Sequence, residues 1–181
     1  MVNKMSDEKR IDFYKIYAKA HNNAADLLNE AEILYEKGKY ARAYFLAYTG
    51  LEEISKSQLA ADVYTRFVKE EVFWKRYREH KSKIDGVEWA HIDANTYPYN
   101  KIWIGPDMDD VEGISPSKPL FERRQKALYV DVKDSIIFSP KEEINGDDAK
   151  EIMHILSTAL YRIWEMEEYW GHQIGTKGFM K

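Results

Sequence analysis

Two short stretches carry the side chains best suited to chemistry. In "LEEISK", residues 51–56, Glu52 and Glu53 precede Lys56 by four and three positions, so a helix puts all three on one side. In "KRYREHKSK", residues 75–83, Arg76, His80 and Lys83 recur at four and three, while Phe73, Tyr77 and Ile84 share another face. A carboxylate, several cations and an imidazole that titrates near neutrality form a set able to move protons and hold phosphate. Arg42 and Thr49 extend the Glu53–Lys56 line into a polar seam along an otherwise apolar rod. Such a seam has two uses. Facing water, its i,i+3 and i,i+4 ion pairs contribute about 0.2–0.5 kcal/mol each. Facing a cleft, its partly buried acids and bases acquire shifted pKa values and bind polar ligands. The basic face of the second stretch carries the same pair of alternatives, a solvated surface or a phosphate contact.

Other constellations are weaker. Asp107, Asp109, Asp110 and Glu112 in "PDMDDVEG" lack the glycine and the twelfth-position acid of a calcium loop. No HExxH, phosphate-binding glycine loop or nucleophile elbow occurs. With no cysteine, thiolate metal sites and disulfides are excluded, and neither a metal nor a cofactor is expected. His154 falls at the edge of an apolar stripe and reads as a packing residue, and Tyr129 and Asp131 as anchors of a hairpin on the bundle.

The elements that must position these residues are mostly helical. Over 12–37, Tyr17, His21, Ala24, Leu28, Ala31 and Tyr35 repeat at alternating four and three, the stripe of a long packed helix. Gly38 stops it, and the short break before a second helix over 40–61 implies an antiparallel hairpin. On that second helix Tyr44, Ala47, Tyr48, Leu51 and Ile54 cluster on one side, and Ala41, Ala43, Ala47 and Gly50 allow close neighbours, which makes it the central rod. A third helix is expected over 62–84, ended by Asp85-Gly86. Residues 85–119 hold four of the five prolines and lack periodicity, so they read as a long loop or insertion. Helix resumes near Pro119, "LYVDVKDSIIF" alternates as a β-hairpin turning at Lys133-Asp134, and "SPKEEINGDDAKE" is rich in caps and acids that open helices. Ile152, Leu156, Ala159, Ile163, Met166 and Trp170 then give a last helix ending at Gly171.

Length and composition agree with one all-α domain spanning 1–181. With 44% hydrophobic and 32% charged residues, 181 residues describe an ordinary globular chain with a real core. The longest uncharged apolar run, "AYFLAYTGL", is about half what a membrane span requires, and "MVNKMSDEKR" has no apolar signal core. A cytoplasmic setting away from membranes is the expectation. The net charge of −4 disfavours indiscriminate nucleic-acid binding but permits a local basic patch. Thirteen tyrosines and five tryptophans suit either bundle filling or an interface.

"NNAADLLNEAEILYEKGKYARAYFLAYTGLEEISK", then "HKSK", then "ERRQKALYVDV", resembles the HEPN-type domain of AbiV-like abortive-infection proteins. The likeness covers most of the chain, and its most specific parts are Glu52-Glu53-x-x-Lys56 and His80-x-x-Lys83, with Ser55 where glycine is expected. The resemblance implies an antiparallel HEPN bundle with a long central loop and a hairpin before the last helix. It also implies a prokaryotic antiviral effector associated with a halt in translation. Many HEPN domains are metal-independent ribonucleases using an Arg, four to six intervening residues and a His. None of His21, His80, His91, His154 and His172 has an arginine at that spacing, and only three residues intervene between Arg76 and His80. Cleavage therefore stands open beside plain RNA binding.

If the second and third helices pack together, Glu53 and Lys56 meet His80 and Lys83 across a groove. Glu53 would orient His80, while Lys56, Lys83 and Arg76 hold phosphate, with Arg42 and Glu52 supporting the seam. The same residues also suit an inert polar network that fixes helix register. Two functions follow: an effector that binds or cleaves RNA or RNA-bearing machinery, or a non-catalytic module that binds a phage or partner protein or forms a homodimer.

Overall fold

The computed structural model of the protein describes residues 11–78 and 117–170, with side chains over 11–78 and 120–161. The described elements are α1 (Phe13–Glu36), α2 (Tyr40–Tyr64), α3 (Glu70–Tyr77), α4 (Ser117–Leu128), β1 (Asp131–Lys133), β2 (Ile136–Phe138), α5 (Pro140–Glu143) and α6 (Gly146–Trp170). The expected helical bundle with one hairpin before the last helix is what forms.

Local chemistry sets the ends of the first hairpin. Asp12 caps α1, its carboxylate accepting the Lys15 N–H at 3.0 Å. At the other end Gly38 takes φ 67°, which costs a glycine little. Its N–H donates to Tyr35 O at 2.9 Å and that of Lys39 to Leu34 O at 2.8 Å, the paired bonds of a Schellman stop. The chain reverses there, and α2 lies along α1 with Ser57 Oγ donating to Tyr17 O at 3.1 Å.

α2 is the central rod, as its small and apolar residues require. Ala43, Tyr44, Ala47, Tyr48, Leu51 and Ile54 are buried, against Ala24 and Ala31 of α1 and Ile152, Leu156 and Ala159 of α6. Gly50 abuts Leu156 and Gly146 abuts the ring of Tyr40, so α6 runs parallel to α2 in matched register. Close approach is the reason for glycine at position 50, where a Cβ would meet Leu156 Cδ2 at 2.4 Å. A second cluster joins Phe13 and Tyr17 of α1, Leu59, Ala60 and Ala61 of α2, and Phe73 of α3. Phe73 is its hub, edge-on to Phe13 at 5.2 Å and to Trp74 at 4.9 Å. α4 is pinned by ions: Arg123 pairs with Asp148 at 3.1 Å and Glu151 at 3.3 Å, and Lys126 with Glu143 at 2.6 Å.

Two boundaries differ from the sequence expectation. α2 continues to Tyr64 rather than ending at 61, and within the described residues the helix expected over 62–84 is broken after Tyr64 and resumes as α3 at Glu70–Tyr77. Arg66 at φ 65° breaks the chain, and the Phe67 N–H donates to Asp62 O at 2.8 Å across the stop. Arginine rarely adopts that conformation, so nothing in the residue types marks it. The hairpin turns at Asp134-Ser135, one residue later than expected. Both have positive φ, 51° and 65°, as a two-residue type I′ turn requires. Val132 faces Ile137 in its ladder. Most of 79–119 lies outside the described residues, as do the side chains of Ile163, Met166 and Trp170. Among the described residues no helix is long and apolar enough to cross a membrane.

Candidate functional site

Between Leu51 and Asp62, α2 is enclosed on nearly every side. Every residue of this stretch is buried except Glu53 and Lys56. Those two form an ion pair, and only 15% and 18% of their side-chain surfaces remain accessible. The Lys56 ammonium also lies 5.4 Å from the centre of the Tyr77 ring, a cation–π contact with the last residue of α3. The Glu53–Lys56 part of the seam therefore opens toward the end of α3 and not into bulk water. Phe73, buried one turn earlier on α3, fixes that helix against α1 and α2.

The other expected site residues separate into groups. Arg76, next to Tyr77, is exposed on α3. His80 and Lys83 follow within a few positions but lie outside the described residues. Arg42 is exposed near the start of α2. Eleven positions before Glu53, it is about 16 Å away along the axis at 1.5 Å per residue, too far to join the same contacts. Thr49 Oγ1 donates within its own helix to Phe45 O at 2.8 Å.

Glu52 turns inward. It is 5% exposed and aligns at three, three and four positions with Ser55, Gln58 and Asp62, all buried. Glu52, Gln58 and Asp62 each engage a polar or electrostatic partner, as buried polar groups must. The sequence pattern singled out Ser55 only as a replacement for an expected glycine, and Ser57, Gln58 and Asp62 not at all. Their signal was the apolar "LAA" at Leu59–Ala61 among them, which leaves a central helix no solvent face there.

Two further groups have altered proton affinity. Burial lowers the His21 imidazole from its ordinary value of 6.5, against a smaller opposing contribution from a hydrogen bond with Asn22. Burial raises the Tyr44 phenol well above its ordinary value, opposed by the nearby Arg123 guanidinium. Tyr44 is thus a neutral donor, with its hydroxyl 3.4 Å from Leu120 O. Arg124 lies over the rings of Phe45 at 5.3 Å and Tyr48 at 5.5 Å, which explains an arginine beside the core. Among the described residues no group of His, Asp and Glu is arranged to hold a metal ion.

What the arrangement offers is a cation held in place. Glu53 takes one of the three Lys56 donors and Tyr77 covers its flank, and among the described residues the remaining donors have no further partner. Such a lysine suits an anionic ligand, because most of its rotamer entropy is already spent.

A family model described as AbiV, of the HEPN type, matches residues 13–160. No curated protein and no solved structure matches the chain. The matched span contains α1 through α5, most of α6, and both charged stretches. That family points to abortive infection, an antiviral role. With most of its length matched, the chain belongs to the AbiV family of HEPN-type domains.

Proposed function

We propose that the protein is a cytoplasmic abortive-infection effector that acts against translation by engaging RNA in the crevice between α2 and the end of α3. Lys56, Arg76 and Lys83 hold phosphate, and Glu53 orients His80 for proton transfer if the RNA is cut. A single observation carries this reading: the one opening in an otherwise enclosed stretch of α2 presents a lysine fixed by Glu53 and Tyr77. Lys56→Ala combined with His80→Ala is expected to abolish protection against phage while the far-ultraviolet spectrum stays helical. Full protection by that double variant removes the site. Incubating the protein with total RNA in chelator separates the two forms of the reading: cuts that disappear in His80→Ala mark a nuclease, and retention of intact RNA marks a binder.

A different observation favours an interaction module. At the hairpin Val132 and its cross-strand partner Ile137 are exposed on one face, and Val130 and Ile136 are exposed as well, more apolar surface than a solvated ribbon needs. In this reading the hairpin binds a phage or partner protein, or a second copy. Ile137→Lys would then abolish protection and co-purification of the partner while leaving RNA binding intact.

A further inference from the structure

A second concave site lies at the opposite end of α2. The turn from α1 into α2, the start of α5 and the start of α6 enclose an open cavity of about 720 Å3. Its wall contains four cations, Lys37, Lys39, Arg42 and Lys141, and no carboxylate. Among the described residues none of the four is in an ion pair. The carboxylates of Glu142 and Asp148 bond two residues of the rim, Ser139 and Asn145. Glu142 accepts from the Ser139 hydroxyl at 2.6 Å and its N–H at 2.7 Å, Glu143 pairs with Lys126, and Asp148 pairs with Arg123. The N-terminus of α2 also opens here. Its cap, Lys39, makes no side-chain hydrogen bond to the first turn, whereas Asp12 and Asn145 cap α1 and α6 with oxygen. The positive end of the α2 dipole thus adds to the four cations.

We infer that this cavity binds the phosphate of a nucleotide, either free or within an RNA strand. Cations that gather in a concavity and outnumber the carboxylates at its rim favour an anion, and an arginine beside lysines suits a phosphate ester. The volume lies within the range of about 300–1,000 Å3 usual for small-molecule sites and far exceeds a bare phosphate. Tyr40, Pro140 and Ile144 supply apolar wall for the sugar and base. The site is independent of the Glu53–Lys56 crevice, about 16 Å distant along α2, and stands or falls without it.

The test is calorimetric titration of the full chain with AMP, with adenosine, and with an RNA hexamer lacking terminal phosphates. AMP is expected to bind at least about tenfold more tightly than adenosine. Lys39→Gln with Arg42→Gln should weaken AMP on the order of tenfold or more, through two lost charge-assisted contacts. Lys15→Gln, an equal change of charge on the exposed start of α1, should leave binding unchanged. If the hexamer displaces AMP, the phosphate belongs to a strand; if only AMP binds, it belongs to a free nucleotide, and either result supports the site. AMP binding no better than adenosine, or equally well to the Lys39/Arg42 variant, overturns it, as does the failure of both AMP and hexamer to bind. Unfolding temperatures of the variants check that these exposed changes leave the fold intact.

Discussion

Gly50→Ala sets two opposed effects against each other at the contact that registers α2 on α6. Alanine inside a helix is favoured over glycine by about 0.8–1 kcal/mol. Its methyl, however, would lie 2.4 Å from Leu156 Cδ2, 3.2 Å from Cδ1 and 3.4 Å from Cγ. Rotating the leucine exchanges one methyl for the other, and Leu156 is fully buried, with no solvent to retreat into. Overpacking of this kind costs about 1–3 kcal/mol. The steric term wins, for a net loss on the order of 1 kcal/mol and a fall of about 2–4 °C in Tm for a chain of this size. Leu156→Ala alone should cost about 2–5 kcal/mol through the cavity it leaves. In the double variant the new methyl occupies part of that cavity, so its loss should fall short of the sum by about 1–3 kcal/mol. Urea unfolding of the four proteins gives the cycle directly. A stabilised Gly50→Ala, with additive effects in the double variant, would refute the close parallel packing of these helices.

Four other outcomes are expected. Lys56→Ala leaves Glu53 half-buried and unpaired and should cost about 1–3 kcal/mol; Glu53→Gln with Lys56→Met should cost less than the two single changes summed, as read from urea midpoints. Because burial depresses the His21 pKa, the unfolded chain takes up its proton first. Its contribution to stability is complete above the ordinary value of 6.5 and declines as pH falls below it, so His21→Gln should flatten that part of a stability–pH curve. Phe73→Ala removes the hub of the smaller cluster and should cost about 3–5 kcal/mol, with loss of the near-ultraviolet aromatic signal. Ser135→Gly relieves a left-handed serine in the hairpin turn and should raise stability by up to about 1 kcal/mol in thermal melts.

The bundle was legible because its information is periodic. Tyr44, Ala47, Tyr48, Leu51 and Ile54 are chosen by one helical face meeting one core, and Ile152, Leu156 and Ala159 likewise. The hairpin was legible from alternation, and only its turn slipped by a residue. The break at Arg66 was not, because a left-handed arginine is imposed by the packing around it and leaves no mark in residue type. At the site, Glu53 and Lys56 were visible as a charged pair, and their meeting with Tyr77 follows from two helices packing. Glu52 was grouped with them by spacing, but one residue is a turn of about 100° on a helix, enough to carry it from the opening into the interior. Arg42 was grouped by the same face, yet one face of a long helix passes two surroundings, here the end of α3 near Lys56 and a cationic cavity near its start.

The matched direction of α2 and α6 also governs how the molecule assembles. Gly50 and Leu156 are separated by roughly a hundred positions, whereas α1 and α2 are joined by a tight reversal. The first hairpin can therefore collapse while the polypeptide is still being made. Until α6 emerges from the ribosome and seats, Leu51 and Ile54 lack their final cover, and an incomplete chain presents a sticky apolar rod to chaperones and proteases.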